Sequence, residues 1–314
     1  MLVLTILNLD LNKFMLLPLP LQKGDSLLAI APSGTLRDKE KEKFEEGVEV
    51  WRKNGYNLIL EENYQDREGY LAGKDEIRRQ ALKKAWQNPE YKGIICVRGG
   101  YGGARLLENW QWETIPQPKW LIGFSDVTSL LWSLYNQRII SVHGAVLTTI
   151  SQEPERSLKR LFDYLEGKPL SPLEGHGWGG GKARGRLLPA NLTVATHLLA
   201  TPICPNFDDV ILALEDVQEA PYRLDRMLTQ WRLMGIFQRV KGIILGRFSG
   251  CNAPDGIPSL TYFEVLKDRL SDFNIPIISE LPFGHDGVNA CLPVGGLVEI
   301  DGDEGVVNFI SDDK

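Results

Sequence analysis

KWLIGFSDVT, residues 119–128, predicts a strand, a sharp turn and a helix in succession. Trp120 to Ile122 are bulky and apolar, as in a short buried strand, and apolar residues recur at helical spacing from Asp126 to Tyr135. On such a turn the hydroxyl of Ser125 would project above the sheet, where the first N–H groups of the helix would face an oxyanion. This is the geometry of a nucleophile. For an isolated Gly-x-Ser, however, capping the helix through Ser125 or Asp126 is the more common role.

Upstream of this stretch, apolar strands alternate with amphipathic helices. Strands are predicted at 26–31, 57–61 and 93–97, and helices at 36–54 and 75–88. Nearly continuous apolar runs are typical of parallel strands buried on both faces. The alternation therefore predicts an open, largely parallel sheet with right-handed crossovers, whose sites lie at the carboxyl ends of the strands. The predicted inner faces of the two helices are Phe44, Val48 and Trp51, and Ile77, Ala81, Ala85 and Trp86.

A glycine-rich stretch, EGHGWGGG at 174–181, interrupts this pattern and is predicted to lack regular structure. Beyond it, short strands and helices alternate again. The predicted fold class is α/β: an N-terminal open, mostly parallel, flavodoxin-like sheet flanked by helices, plus a smaller C-terminal mixed α/β domain. The predicted divisions are an N-terminal extension (1–21), a nucleophile-bearing domain (22–166), a Gly-rich linker (167–182) and a C-terminal domain (183–314).

The composition is that of a soluble globular protein. Of 314 residues, 43% are hydrophobic and 24% charged, and the formal net charge is -6. An acidic chain without a basic stripe is not expected to bind nucleic acid. The apolar N-terminus is interrupted by polar residues from Asn8 to Lys13 and lacks a signal-peptide pattern, so we expect a loose extension and no membrane anchor.

The four cysteines are scattered, with no Cys-x-x-Cys pair or nearby histidine at metal-ligand spacing. We expect reduced core residues, a reducing compartment, no metal and no cofactor. The cysteines are Cys96, Cys204, Cys251 and Cys291.

Carboxylates at the end of an apolar run are the first candidates to act with Ser125. Residues 210–214 are apolar and lead into Glu215 and Asp216, which the carboxyl edge of a sheet would present. For Asp216 a capping role is favoured. For Glu215 the sequence favours neither a structural nor a catalytic role over the other.

Histidine is the second candidate, because its unperturbed pKa suits general-base chemistry near neutral pH. His285 lies in PFGHDG, where glycines on either side suggest a tight loop and an accessible ring. Taken alone, a loop histidine is more often a polar residue whose hydrogen bonds are all made within the fold. His143, after a strand and before a glycine, competes with it. His176 in the linker and His197 in a helix are expected to be structural or solvated.

The third candidate is the glycine loop RGGYGGAR, residues 98–105, directly after a predicted strand. Glycines allow backbone N–H groups to approach a ligand closely. The loop fails the dinucleotide pattern Gly-x-Gly-x-x-Gly because Arg105 occupies the third glycine position. We therefore prefer a loop that binds an oxyanion or a substrate. A glycine turn without a ligand remains an equally good alternative.

These stretches together resemble the LD-carboxypeptidases, serine peptidases that include the muramoyltetrapeptide carboxypeptidases and the microcin C immunity proteins. Each stretch is weak singly, but seven in the family's order are specific, and they span nearly everything after Leu21. They are Gly24-Asp25 with Ala31-Pro32-Ser33-Gly34, GYLAG at 69–73, RGGYG at 98–102, GFSDVT at 123–128, His143-Gly144, Leu214-Glu215-Asp216 with PYRLDR at 221–226, and Gly284-His285.

The resemblance implies a Ser-His-Glu triad between two domains. Carried over by motif, Ser125 is the nucleophile, His285 the base and Glu215 its orienter. Backbone N–H groups of Gly100 and Asp126 would form the oxyanion hole. The chain departs from the family at Pro189-Ala190, where many members have Gly-Gly before Asn-Leu, and from the α/β-hydrolase elbow at Val127, where a second glycine would stand.

The activity implied is that of a cytoplasmic carboxypeptidase that removes the terminal D-alanine from murein tetrapeptides in cell-wall recycling. Its partner is a small peptide, with a homodimer left open. A bidentate arginine would suit the substrate carboxylate. The candidates for substrate binding are Arg98, Tyr101 and Arg223, and for the arginines a salt bridge within the fold is at least as common.

Two other functions compete with this reading. One is an immunity-type amidase that cleaves peptidyl-nucleotide or acyl-sulfamoyl adenylate compounds, which aromatic residues placed to stack a base, such as Trp178 or Trp231, would favour. The other is a non-catalytic protein that binds a small ligand in an α/β cleft. Labelling of Ser125 by a fluorophosphonate would argue against the second.

Overall fold

Fourteen strands and nine helices are present in residues 14–311, the part of the chain that this computed structural model describes. The strands are β1 Ser26–Ile30, β2 Asn57–Leu60, β3 Tyr91–Cys96, β4 Trp120–Gly123, β5 Ser141–His143, β6 Leu173–Glu174, β7 His176–Gly177, β8 Lys182–Asn191, β9 Val210–Val217, β10 Gly242–Ser249, β11 Ile277–Ser279, β12 Leu292–Val294, β13 Leu297–Asp301 and β14 Val306–Ile310. The helices are α1 Lys41–Lys53, α2 Asp75–Gln87, α3 Gly103–Leu106, α4 Thr128–Asn136, α5 Leu147–Ile150, α6 Glu155–Leu165, α7 Leu192–Leu198, α8 Pro221–Leu233 and α9 Tyr262–Leu270.

The first sheet has the order β12-β5-β4-β3-β1-β2. The strands β1 to β5 pair in parallel, and only β12 is antiparallel. This confirms the predicted open, mostly parallel sheet. Strands β3 and β4 are buried along nearly their whole length, as continuous apolar runs require.

The second sheet has the order β6-β14-β13-β8-β9-β10-β11-β7. Its centre, β8 to β11, is parallel, and antiparallel strands flank it on both sides. The mixed α/β character predicted for the C-terminal part is confirmed.

The glycine-rich stretch differs from its prediction. It includes the last residue of β6 and all of β7, and these strands pair with β14 and β11 in the second sheet. Glycine is needed here because backbone packs on backbone: a Cβ at Gly175 or Gly177 would overlap the carbonyl oxygens of Ser279 or Gly302. The division of the chain at this stretch stays a prediction, and β12, from beyond it, lies in the first sheet.

The predicted extension falls partly outside the described residues, which exclude 1–13. Residues 14–21 are not loose. Leu16 donates from its N–H to Arg138 O (2.6 Å) and accepts from Ile140 N (2.9 Å), and Leu21 N–H donates to Leu165 O (2.7 Å).

The inner face of α2 also differs from its prediction. Ala81, Ala85 and Trp86 are buried, but Ile77 is 39% exposed. The residue that is buried beside them is Arg78, at 0% exposure. The inner face of α1 is as predicted.

The two sheets meet through α4, the helix that follows Ser125. Trp132 Nε1 donates to Pro189 O (3.0 Å), and Thr128 Oγ1 accepts from Asn191 N–H (3.1 Å). Both partners lie in β8 of the second sheet. These bonds fix the helix after Ser125 against the strand that neighbours Glu215.

Candidate active site

Ser125, His285 and Glu215 form a continuous chain of hydrogen bonds across the two sheets. The distance from His285 Nε2 to Ser125 Oγ is 3.0 Å, and from His285 Nδ1 to Glu215 Oε2 it is 2.6 Å. Ser125 follows β4, Glu215 lies in β9, and His285 lies in the loop between β11 and β12. The structure thus brings together three residues that the sequence separates by up to 160 positions.

Ser125 has φ +63°, in the left-handed region that residues other than glycine rarely adopt. Such a conformation costs on the order of 1–3 kcal/mol and is found mainly at functional sites. The serine opens a single 3-10 turn, Ser125–Val127, ahead of α4, and no side chain caps that turn. The helix-capping interpretation of Ser125 is therefore wrong, because its hydroxyl faces His285 instead.

Asp126 does not cap the helix it opens either. Its buried Oδ2 accepts from the N–H of Gly103 (2.7 Å), the first residue of α3. Burial raises the pKa of this carboxyl, and the backbone N–H groups of Gly103 and Gly102 and the charge of Arg78 oppose that shift. The carboxylate ties the turn that carries Ser125 to the glycine loop.

The glycine loop lies directly against Ser125. A Cβ placed on Gly99 would lie 2.9 Å from Ser125 Cβ, 3.1 Å from its Oγ and 3.5 Å from Asp126 N. Gly100 has φ +113°, which a side chain would strain. Its N–H donates to no acceptor within residues 14–311. The loop thus lies against Ser125 and carries a backbone N–H that has no acceptor within the described residues.

We expect Gly99→Ala to reduce turnover by roughly 10²-fold, because the added methyl group must displace either Ser125 or the loop from its position. Steady-state kinetics would measure it, with Gly69→Ala as a control for backbone strain without a steric clash, since Gly69 has φ +61° and an open Cβ direction. Turnover equal to wild type in a folded Gly99→Ala protein would mean that the loop takes no part.

Glu215 is completely buried and is held at both oxygens. His285 occupies Oε2, and Oε1 accepts from Asn191 Nδ2 (3.2 Å). The same Asn191 amide donates to Asp216 Oδ1 (3.0 Å). Asp216 lies within β9 and is not the N-cap of a helix, because that position of α7 is taken by Asn191; its Oδ2 accepts from the N–H and hydroxyl of Thr193 in the first turn of α7. Burial and the charge of Glu215 raise the pKa of Asp216 to about 6.

The loop that carries His285 is held from both sides. Gly284, at φ +128°, donates from its N–H to Asn289 Oδ1 (3.1 Å). Arg247 of β10 donates to Val288 O (2.8 Å). The imidazole itself packs against the Phe124 ring, with a centroid distance of 4.8 Å. The imidazole of His285 is therefore oriented by packing as well as by Glu215.

Burial lowers the pKa of His285, but the charge and hydrogen bond of Glu215, aided by Asp216 and Asp286, outweigh it, so the pKa lies above its ordinary 6.5. A raised pKa means that the ion pair stabilises the fold below about 6.5 and that this stabilisation is lost as pH rises through the folded-state pKa. A general base must be neutral to accept a proton. Activity should therefore increase with pH, whereas the stabilisation by the ion pair decreases with pH. Activity should appear only as pH rises through that raised value.

We accordingly expect kcat/KM to rise with pH on an acid limb whose midpoint lies above about 6.5. In Glu215→Gln the residual activity should show a limb at lower pH, because burial then acts without the opposing charge. A pH–rate profile of both proteins checks this. A midpoint that does not move between them would contradict the assignment of His285 as the titrating base.

His143 lies at the end of β5 and does not reach Ser125. It is fully buried, neither ring nitrogen has a partner within residues 14–311, and its ring packs against Phe124 and Phe283. Burial lowers the pKa of His143 to about 4, although the charge of Glu215 opposes this. The side chain is neutral near pH 7 and belongs to the core.

We expect His143→Ala to destabilise the fold by about 2–5 kcal/mol, as large-to-small core substitutions do, while retaining turnover within roughly tenfold of wild type. His285→Ala should lose about 10⁴-fold or more in turnover, and it should also lose stability, because it leaves the buried Glu215 carboxylate without its partner. Thermal unfolding and kcat, measured on both variants, separate the two roles. Equal losses of turnover would require a new assignment of the base.

The two arginines among the predicted substrate-binding residues both have partners within the fold. Arg98 is mostly buried, with Nη1 donating to Thr35 O (2.9 Å) and Nε 3.4 Å from Glu40. Arg223 is exposed and lies 3.4 Å from Glu219, and the Tyr222 hydroxyl lies 3.2 Å from its Nε. For both arginines the structure favours partners within the fold.

Tyr101 is 53% exposed, and its ring stands edge-on to that of Tyr70 at 5.7 Å. This exposed aromatic pair borders the glycine loop. Trp231 is fully buried in the core, and Trp178 packs under the Lys267 ammonium at 3.5 Å. Neither tryptophan is placed beside the triad.

Residues 14–311 contain no group of three or more His, Cys, Asp or Glu side chains arranged to hold a metal ion. No helix in the same range combines the length and the apolar composition that a bilayer span requires.

Sequence reasoning missed the residues that hold the triad and its loops in place: Asn191, Arg247, Asn289 and Arg78. The one usable signal was Arg78, a cation on the same helical stripe as Ala81 and Ala85. The roles of the others depend on loop geometry that has no local sequence signature.

A hydrogen-bonded serine, histidine and acid on an α/β scaffold is typical of a hydrolase. The model of the LD-carboxypeptidase N-terminal domain matches residues 28–144, and the model of the LD-carboxypeptidase C-terminal domain matches residues 184–300. The chain belongs to the LD-carboxypeptidase family of peptidases.

Its relatives agree with this membership. A Synechocystis protein named "putative carboxypeptidase" is 58% identical over 96% of this chain and 99% of its own length. The murein tetrapeptide carboxypeptidase of Pseudomonas aeruginosa is 29% identical over 87% of this chain and 92% of its own. The crystal structure of muramoyltetrapeptide carboxypeptidase from Oxalobacter formigenes superposes with a TM-score of 0.80 at 28% identity, covering 90% of this chain and 97% of that one.

The fold is also that of the microcin C7 self-immunity protein MccF. Its complex with aspartyl sulfamoyl adenosine superposes with a TM-score of 0.85 over 95% of this chain and 99% of that one. At 23% identity this likeness shows the fold alone.

Proposed function

We propose that this protein is a serine carboxypeptidase that removes the terminal D-alanine from murein tetrapeptides. The observation that carries the proposal is the hydrogen-bond chain Ser125–His285–Glu215, with 3.0 Å and 2.6 Å between successive polar atoms. The substrate rests on the relatives named for murein tetrapeptide and muramoyltetrapeptide.

In this proposal Ser125 Oγ attacks the carbonyl of the bond between an L-configured centre and D-alanine. His285 Nε2 accepts the hydroxyl proton and then gives it to the leaving amine, so that free D-alanine departs and an acyl-enzyme remains. Water, deprotonated by the same nitrogen, hydrolyses the ester. Glu215 keeps the Nδ1 proton in place and stabilises the charged imidazole.

The developing oxyanion would be held by the N–H groups of Gly100 and Asp126. Two observations support this placement. Gly99 lies against Ser125, and the Gly100 N–H has no acceptor within the described residues. Both donors are backbone groups on segments that the Asp126–Gly103 hydrogen bond connects.

The test is incubation of purified protein with murein tetrapeptide, with products identified by mass. Release of D-alanine from this peptide, and none from the same peptide ending in L-alanine, supports the proposal. Ser125→Ala is the control. Cleavage of a peptidyl-adenylate or acyl-sulfamoyl adenylate instead would assign the immunity-type activity. No cleavage together with no fluorophosphonate labelling of Ser125 would indicate a binding protein.

A cytoplasmic location is part of the same proposal. Its support is that the four cysteines are free thiols, three of them buried. Cell fractionation with an antibody to the chain would check it, and recovery outside the cytoplasmic fraction would contradict it.

A further inference from the structure

Arg78 is a fully buried arginine on α2, whose guanidinium is bound by backbone carbonyls from three separate segments. Nε donates to Gly73 O (3.2 Å), and Nη1 donates to Gly102 O (3.0 Å) and to Pro32 O. The segments are the loop after β1, the turn before α2, and the glycine loop after β3. One side chain therefore joins the loops at the carboxyl ends of two neighbouring strands.

The segments that Arg78 joins are the ones that surround Ser125. Gly34, next to the Pro32 turn, donates from its N–H to Gly99 O (3.2 Å). Gly99 faces the Ser125 hydroxyl, and Gly103, next to Gly102, donates to Asp126. A shift of either loop would therefore move the predicted oxyanion donors relative to the nucleophile.

The glycine at position 102 is required by its backbone conformation and by two close neighbours. Gly102 has φ +124°, and a Cβ there would lie 2.6 Å from Leu71 Cδ2 and 2.9 Å from Arg78 Nη1. The sequence suggested that glycines in this loop admit a ligand. At Gly102 the close approaches are made by Leu71 and by the guanidinium instead.

The charge of Arg78 is balanced by Asp75 at the start of α2, which accepts from Nη2. Asp75 is shared with Arg105 of α3, whose Nε and Nη2 lie 2.9 and 2.6 Å from it. Only the planar, multiply donating guanidinium can serve three carbonyls and a carboxylate at once. A lysine would leave buried carbonyl groups without donors.

We propose that Arg78 is a positioning residue that holds the glycine loop, and with it the Gly100 N–H, in place for the oxyanion formed at Ser125. This inference rests on the proposed serine mechanism. Arg78 touches no reacting atom. Its effect on the reaction passes through Gly102 and the loop that this residue ends.

The experiment compares Arg78→Met, Arg78→Lys and, as a matched control, Arg232→Met. Arg232 also joins a helix to a backbone carbonyl, Arg269 O, and to a carboxylate, Asp272, but lies on α8. The readouts are kcat and KM on murein tetrapeptide, the rate constant for fluorophosphonate labelling of Ser125, and thermal unfolding. The labelling reaction uses the oxyanion hole and needs no knowledge of the natural substrate.

We expect Arg78→Met to lower kcat and the labelling rate together by roughly 10²-fold, with KM nearly unchanged, because the loop acts on the transition state. Arg78→Lys should lie between this variant and wild type, and Arg232→Met should label at the wild-type rate. The loss in Arg78→Met should lie in the labelling rate constant of the folded protein and not in the fraction of protein that labels, which a merely structural role would lower instead. Should Arg78→Met fail to fold, Arg78→Lys carries the comparison.

A folded Arg78→Met protein that labels at the wild-type rate overturns the inference, as does an equal loss in Arg232→Met. Wild-type protein that labels but releases no D-alanine overturns only the proposed substrate, and the labelling rates still decide the role of Arg78. Wild-type protein that neither labels nor cleaves overturns the serine mechanism and this inference with it.

Discussion

Ser125→Ala should lower turnover of murein tetrapeptide by about 10⁴- to 10⁶-fold while leaving the protein folded. The substitution removes the Oγ that lies 3.0 Å from His285 Nε2 and nothing else that the site needs. Alanine keeps the same left-handed backbone conformation at φ +63°, with the same strain as serine. Stability should therefore change little.

The measurement is kcat by D-alanine release, with thermal unfolding of the same sample. Ser129→Ala is a matched control, because Ser129 is a buried serine of α4 whose hydroxyl donates to Asp126 O (2.9 Å) and not to His285. It should cost stability and leave turnover within roughly tenfold. Near-normal turnover in Ser125→Ala would remove the nucleophile from the mechanism.

Glu215→Gln should lower kcat by roughly 10³- to 10⁴-fold, although only one atom type changes. Glu215 accepts two hydrogen bonds, one from His285 Nδ1 and one from Asn191 Nδ2. A glutamine has one acceptor and one donor. Either its amide nitrogen faces His285 and forces the proton to Nε2, or it faces the Asn191 amide and sets two donors together. In the first case Nε2 cannot accept the proton of Ser125.

Asp216→Asn is the matched control for Glu215→Gln, because it removes a charge from the next residue of the same strand. Asp216 accepts from Thr193 and Asn191 and does not contact His285. We expect Asp216→Asn to destabilise the protein by about 1–3 kcal/mol, because an NH₂ group replaces one oxygen and then faces other hydrogen-bond donors. The loss of turnover should be much smaller than in Glu215→Gln. Similar kinetic losses in both variants would mean that Glu215 does not orient the base.

The sheet architecture could be read from the sequence because it depends on local patterns. Residues 93–96 and Trp120–Gly123 are apolar throughout, and buried parallel strands need that pattern. The ends of strands cannot be read from an apolar pattern where polar residues continue the strand. Strand β9 extends through Glu215 and Asp216 to Val217, since these carboxylates find buried partners that a local pattern does not reveal.

The triad residues could be named from the sequence only through the family resemblance, since local reasoning left Glu215 even and favoured a cap for Ser125. What decides these alternatives is a set of long-range contacts. The same holds for Asp126, whose carboxylate was predicted to cap α4 and binds the N–H of Gly103 instead. Short motifs specify which groups are present, and the tertiary fold specifies what each group faces.

The pairing of β12 with β5 has a mechanical consequence. The chain leaves the second sheet through the His285 loop, lays β12 along the edge of the first, and then returns to β13 in the second. The two halves are thus interlaced through β12, which directly follows the loop that carries His285. They cannot swing apart as hinged bodies without unpairing β12. A chain nicked within 174–181 should stay together as a noncovalent pair, whereas truncation after Ala290 would strip strands from both sheets at once.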